Sequence, residues 1–394
     1  MKPIRVLHVI TRFIVGGAQE TALLYCALID RKRFPSEILT GPQTGSEGDL
    51  FGEARTRGVR VHLEPMLVRE VNPLKDPIAV VRLAAFFRRF RPDVVHTHSS
   101  KAGIVGRVAA RLAGVPHVVH TVHGWGFHTE QTWKERFTYQ TLERWCAPLA
   151  DCLVVVAEAN RTQALELGIG RPEQYRVIRS GIEIEQYAAG SEARAATRAS
   201  LGLPPDAFVF GSVGRLSPPK APLDLVAAFA QVAARHQETR LVLVGDGPLR
   251  NETERAVDAA GLTGRVVFTG LRLDVPELLH AFDAFVFASR WEGLPRVVPQ
   301  ALAARLPVVA TATDGTPEAV REGESGYLVA PGDVAGLAER MLWLVRDPER
   351  ARSLGAKGCV LVEEFSAARM VEKLGALYDE LTRRGGAPGD GRIP

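Results

Sequence analysis

Short runs of β-branched and apolar residues recur along the whole chain, with helical patterns between them. This alternation narrows the fold more than any other feature. In the first half the runs cover residues 5–10, 37–40, 59–63, 93–97, 117–122, 152–156 and 175–178. In the second half they cover 208–213, 240–244, 265–268, 284–287, 307–310 and 327–329. Several are apolar throughout, as expected of parallel strands covered by helices on both faces. Strands separated by helical patterns of roughly 10–15 residues are βαβ units. About thirteen strands are too many for one open sheet in 394 residues. The prediction is therefore α/β, with two Rossmann-like, doubly wound parallel sheets facing a cleft.

Residues 188–206 hold no strand pattern and end in Leu-Pro-Pro-Asp, which is turn chemistry. The first domain is accordingly placed at 1–190 and the second at 205–365. A helical pattern over 366–383 carries one apolar stripe of Met370, Leu374, Leu377, Tyr378 and Leu381 and is expected to pack back on the first domain. The Gly/Pro-rich tail, 384–394, is expected to be disordered. The chain is 46% hydrophobic and 24% charged, which excludes disordered, collagen-like and small disulfide-stapled classes. With 49 basic against 45 acidic side chains, a net charge of +4 gives no footprint for nucleic acid. The four cysteines, Cys26, Cys146, Cys152 and Cys359, form no CxxC pair and read as reduced thiols, which predicts a cytoplasmic setting. The apolar run 4–10 is too short for a signal sequence and is read as a buried strand. No apolar stretch of about 20 residues is present to span a membrane.

Four segments carry chemistry, each at the end of a predicted strand. Thr11 to Glu20 holds Gly16-Gly17, which lets a ligand approach backbone and a helix N-terminus; a tight turn explains it equally. It lacks GxGxxG and a following acidic residue, which disfavours a dinucleotide. Arg215 and Lys220 lie five apart on a Gly/Pro loop; they suit a diphosphate or are two solvated cations. Ser289 to Ala304 places Glu292 on a loop and Gln300 in a helix expected to start near Pro295, so that Pro299 falls in its first turn. The amides of Arg296 and Val297 would then face an anion, with Glu292 beside it for sugar hydroxyls. Alternatively Glu292 is an ordinary acidic helix start. His123-Gly124 follows a buried strand and is either a site histidine or a strand-end histidine bonded to backbone.

In this order the four segments resemble the retaining glycosyltransferases of GT-B fold, in their large family-four-like group of the cell-envelope polysaccharide type. The resemblance covers about residues 3–382. Its most specific parts are Glu292-Gly-Leu-Pro-Arg to Gln300, Ala301-Leu-Ala-Ala304, 307–311 and Pro317-Glu318; Gly214-Arg215-Leu to Lys220, 244–248 and 177–181 also fit. It implies transfer of a sugar from a nucleotide sugar, UDP favoured, without a metal or other cofactor. Arg215 and Lys220 match the basic pair on the donor diphosphate and Glu292 the first carboxylate of Glu-x7-Glu. Gln300 replaces the second, which binds ribose; the amide keeps an acceptor oxygen and loses the charge. His123 matches the histidine near the transferred sugar, Gly16 and Gly17 the phosphate loop, and Leu271 the backbone contact to the base. Leu294, Arg296 and Val297 complete the implied donor set.

Residues 67–76 and 96–103 look like members acting on lipid-linked or growing glycans. Ser99, Ser100 and Lys101 are expected to hold an acceptor phosphate. Residues 86–91, Phe-Phe-Arg-Arg-Phe-Arg, either touch anionic lipid, at the inner face of the cytoplasmic membrane, or pack their rings on the sheet. Rival readings are a metal hydrolase using His96-x-His98, a nucleotide-sugar epimerase on the same fold, and a sugar-nucleotide-binding subunit without turnover. Oligomeric state is left open.

Overall fold

Strands that are buried along their full length need helices on both sides, and the first sheet follows this rule. The computed structural model describes residues 2–43, 48–128, 130–187 and 191–384. Seven strands are β1 (Val6–Ile10), β2 (Ser36–Thr40), β3 (Val61–Leu63), β4 (Val94–His98), β5 (His117–Val122), β6 (Cys152–Val155) and β7 (Tyr175–Val177). They form one parallel sheet in the order β3-β2-β1-β4-β5-β6-β7. Every residue of β1 and β4, at its centre, is buried. The helix Ser100–Ala113 approaches closely because Gly103 and Gly106 have no side chain toward it: a Cβ at Gly103 would run into the His120 ring, and one at Gly106 into Thr97. Fully buried Arg107 on that helix donates to Glu143 at 2.7 Å and to the Gly103 carbonyl at 2.8 Å, so its charge is matched.

The second sheet has six parallel strands: β8 (Val209–Val213), β9 (Arg240–Val244), β10 (Val266–Gly270), β11 (Ala284–Phe287), β12 (Val308–Thr311) and β13 (Gly326–Val329). Their order is β10-β9-β8-β11-β12-β13. The two doubly wound parallel sheets read from the sequence are thus both present, with thirteen strands among the described residues. The chain divides into two compact units, one of them discontinuous: Met1–Gly181 with the C-terminal segment from Ala367, and Ile182–Ser366. At the junction the Ile182 amide donates to the Phe365 carbonyl at 2.8 Å. The strand-free stretch also holds a helix, Ser191–Ser200, whose Arg194 and Arg198 both reach Asp283. Residues 188–190 and 385–394, the latter nearly all of the predicted tail, lie outside the described residues.

The helix Ala367–Arg384 buries Met370, Leu374, Leu377, Tyr378 and Leu381 among Ile4, Val6, Tyr25, Ile29 and Phe34 of the first unit. Arg33 pairs with Asp379 and Arg176 with Glu380 at its rim. Leu374→Ala should therefore destabilise the first unit by about 2–5 kcal/mol in urea unfolding, and Leu374→Met by less than about 1.5 kcal/mol. Equal costs for the two substitutions would contradict this packing.

Candidate functional site

In a doubly wound sheet, ligand chemistry collects beyond the carboxyl ends of the two strands at which the order reverses. In the second unit these are β8 and β11. The loop after β8 carries Gly214, exposed Arg215 and Lys220; the loop after β11 carries Ser289 to Arg296. The two loops are tied together. The Arg290 amide donates to the Pro219 carbonyl at 2.8 Å, and the Arg290 guanidinium grips Asp224 at 3.0 Å. Most directly, the Lys220 ammonium donates to Glu292 Oε1. The same ammonium lies 5.1 Å from the centre of the Phe287 ring, a position that favours a cation. Arg215, Lys220 and Gly214 line one small open concavity with Phe287 and Pro222.

Glu292 is held from its other side. Ser289 donates to Glu292 Oε1 at 2.8 Å, and Thr311 donates to the Ser289 carbonyl at 2.5 Å. The Glu292 amide donates to Asp314 Oδ2 at 2.7 Å. Asp314 adopts a left-handed φ of 41°, which aspartate tolerates better than most residues. Burial holds its carboxyl above the usual carboxylate range, and the Glu292 charge adds to this against the hydrogen bond. Asp314 escaped the sequence reading; the only signal was Thr-Asp-Gly directly after a strand. The loop after β9 closes the floor. Gly245, at φ 129°, passes so close to Gly214 that any Cβ would meet its carbonyl. This explains the Gly-Asp-Gly triplet at 245–247.

The helix after this loop begins two residues later than expected, at Val297, with Arg296 as its cap. The reason is the Pro295 carbonyl, which accepts from the Val298 amide and closes the preceding turn. Pro299 still falls within the first turn. At seven residues the helix offers little dipole to an anion. Leu294, Arg296 and Gln300 are buried, and Leu271 is exposed just past β10.

In the first unit the order reverses between β1 and β4. Gly17 opens the helix Gly17–Leu28 with Gly16 as cap. Thr11 after β1 and Ser99 after β4 bond side chain to side chain at 2.9 Å, and Thr11 accepts from the Ala102 amide at 3.1 Å. Ser99 has φ 63° with ψ 154°, a region costly for any side chain. Ser100 Oγ lies against Gly126. Lys101 is paired with Asp76 and bonds the Glu70 carbonyl at 2.9 Å. Half-buried His123, past β5, bonds through Nε2 to His98 Nδ1 at 3.0 Å.

The histidines of the hydrolase reading sit within the fold. His8, His96 and His98 are fully buried and bring ring nitrogens within 4.8 Å of one another. Five of their six nitrogens have protein partners: His8 Nδ1 with His98 Nε2 at 2.9 Å, His98 Nδ1 with His123 at 3.0 Å, and His96 with Tyr378 at 2.7 Å and Thr121 at 2.6 Å; His8 Nε2 has none. No carboxylate belongs to the cluster to balance a cation among the described residues. The Phe86–Arg91 stretch packs inward: Phe87 is buried, and the Phe86 and Phe90 rings stack on each other and against His62. Of the two readings of this stretch, the rings fit the packed one, while Arg88, Arg89 and Arg91 are exposed.

Residues 193–359 match the family described as glycosyl transferases group 1, and residues 16–181 the glycosyl transferase 4-like domain. The UDP-Gal:alpha-D-GlcNAc-diphosphoundecaprenol alpha-1,3-galactosyltransferase of Escherichia coli is 30% identical over 383 residues, covering 96% of this chain and 97% of that protein. A D-inositol 3-phosphate glycosyltransferase of Stackebrandtia nassauensis is 32% identical, covering 75% and 70%. Among solved structures, Anabaena Alr3699/HepE in complex with UDP-glucose superposes with a TM-score of 0.81 at 24% identity, over 96% of this chain and all of that one.

Burial lowers the His8 ring to a pKa of about 3 and holds His96, His98 and His120 well below the usual imidazole range. These rings stay neutral while the chain is folded and take up protons on unfolding. Below the ordinary value of 6.5 the unfolded state binds more protons. The stability they confer is complete above that value and is lost as pH falls toward the folded pKa. Each ring should contribute about 1.4 kcal/mol per pH unit. Melting of the first unit should drop steeply between about pH 6.5 and pH 5, and His8→Phe should make that slope shallower. A flat profile for both proteins would refute it.

Proposed function

The chain belongs to the glycosyltransferases of the group 1 and 4-like families and has the GT-B fold, and from that premise we propose that it transfers a sugar from a UDP-sugar to a hydroxyl of a lipid-linked or growing glycan with retention of anomeric configuration. The observation that carries this reading is the meeting of Lys220 and Glu292 at the β8/β11 reversal. A cation and a carboxylate side by side suit the two halves of one donor. Lys220 and Arg215 hold the diphosphate; Glu292, fixed by Ser289 and Asp314, accepts from sugar hydroxyls. UDP is favoured because the Escherichia coli relative is named for UDP-Gal and Alr3699/HepE was solved with UDP-glucose.

In this reaction the bond from anomeric carbon to phosphate oxygen breaks and its electron pair stays on the diphosphate. Arg215 and Lys220 stabilise that developing charge, the usual largest contribution of such a site. The acceptor oxygen bonds the anomeric carbon on the same face, and its proton passes to the leaving phosphate oxygen. No side-chain base and no metal enter these steps. His123 orients the sugar, and Gly16 and Gly17 let phosphate approach backbone. The Leu271 backbone meets the base, and Leu294, Arg296 and Val297 shape the remaining donor contacts. Gln300 accepts from ribose as a neutral group.

A lipid-linked acceptor is supported by the same relative, which is named for a diphosphoundecaprenol substrate. Leu74, Ile78 and Val81 are exposed at the 3–4-residue spacing of one face of the helix Lys75–Phe90 and its cap, and exposed Val71 lies in the loop just before it. They offer a peripheral membrane contact. Among the described residues no helix is long and apolar enough to cross a membrane. The inner face of the cytoplasmic membrane is the proposed place of action.

Lys220→Ala should lower turnover on the preferred nucleotide sugar by about 10²–10³ with an unchanged melting temperature. Stabilisation by UDP in thermal-shift titration should weaken in parallel. Full activity in this variant ends the diphosphate assignment. Binding without turnover for every acceptor tried would favour a non-catalytic subunit, and an isomerised donor would favour an epimerase.

A further inference from the structure

The loops after β11 and β12 are joined at three points. Thr311, the last residue of β12, donates its hydroxyl to the Ser289 carbonyl. The Glu292 amide donates to Asp314 Oδ2 at 2.7 Å, and the Gly315 amide donates to the Gly293 carbonyl at 2.8 Å. Asp314 and Gly315 thus grip the Glu292–Gly293 segment at its first amide and its last carbonyl. The grip uses an unusual backbone. At φ 41° Asp314 lies in the left-handed region, which only glycine enters without steric cost. With the chain turned this way, the Asp314 side chain and the next amide both bond the same neighbouring loop. Three terms count against an aspartate here. Its φ is strained, its carboxyl is held partly away from water, and the Glu292 charge lies close enough to oppose its ionisation. Glycine would remove all three. Asparagine would remove the charge and keep an acceptor oxygen. Against these terms stands one charge-assisted bond, made to the backbone of Glu292. Strain that neighbouring contacts hold in place is a mark of function.

We propose that Asp314 is a positioning residue that lowers the stability of the fold in order to fix the Glu292 carboxylate, and thereby sets how well the site tells a nucleotide sugar from the nucleotide alone. Taking Glu292 as the sugar contact rests on the reading above; the grip on its backbone does not. Arg215 and Lys220, which hold the diphosphate in that reading, sit on a different loop, after β8. Affinity for the bare nucleotide should therefore not follow Asp314, whereas reaction of the bound sugar should. A loosened Glu292 still carries its charge but no longer presents it in one orientation.

The test compares Asp314→Gly and Asp314→Asn with the wild type. Asp314→Gly removes the acceptor and the strain together. Its Tm should equal or exceed that of the wild type, and its Kd for UDP should stay within about 3-fold. Its kcat/KM for the preferred UDP-sugar should fall about 10–100-fold. Asp314→Asn keeps an acceptor oxygen and tolerates the left-handed region, so Tm should rise and kcat/KM should return to within about 3-fold of the wild type. A residue with a merely structural role would lose Tm, UDP affinity and turnover together in Asp314→Gly, and that result overturns the proposal. So does an unchanged kcat/KM in Asp314→Gly, or an Asp314→Asn as impaired as Asp314→Gly. Amide hydrogen exchange needs no variant. In the wild type the Glu292 amide should exchange at least about 100-fold more slowly than in an open chain. An unprotected Glu292 amide overturns the proposal whether or not the variants fold. UDP titration of the wild type by calorimetry separates the two claims: no heat with any uridine nucleotide sinks the donor-site reading, while exchange at Glu292 and the order of the three Tm values still decide the grip.

Discussion

Reversal of strand order in each parallel sheet is the constraint on which the rest depends. Adjacent strands whose connections leave toward opposite faces must part their following loops, and side chains on those loops then meet over the gap. In the second sheet this brings Lys220 to Glu292; in the first it brings Thr11 to Ser99. Neither pair is close in sequence. Each owes its meeting to a hydrogen-bonded pairing of β8 with β11 or of β1 with β4.

Around these reversals, close backbone approach supplies rigidity. Gly245 admits the loop after β9 beneath Gly214, and Gly103 admits a helix against His120. Glu292 is held by a hydroxyl on one carboxylate oxygen and a carboxylate on its amide, contributed by loops after β11 and β12. A carboxylate supported in this way presents one orientation, which is what hydrogen bonding to a polyhydroxy ligand requires.

Much of this was legible in the sequence because it is written in local pattern. Strand runs with β-branched residues, Gly-Pro loop chemistry and a strand-free boundary were enough for two doubly wound sheets and for the loops that carry Arg215, Lys220, Glu292 and His123. What stayed hidden was non-local. Asp314 acts through a backbone amide 22 residues away and through a left-handed conformation. The helix after Pro295 starts late because a turn captures the Val298 amide first. The pairing of Lys101 with Asp76, 25 residues earlier, is likewise invisible in local pattern. The His96-x-His98 pair had the spacing of metal ligands, yet its partners come from β1, β5 and the last helix.

The last helix has a consequence for how such a chain comes into being. Tyr378 bonds His96, and Leu374 and Leu377 cover Tyr25 and Phe34, so the first sheet finishes its core with residues made after the entire second unit. On the ribosome, the first unit must wait, with one flank of its sheet uncovered, while the second is synthesised and folds. Completion of the amino-terminal half is thereby tied to the appearance of that helix, and a chain released before it emerges would carry a finished second unit attached to an unfinished first.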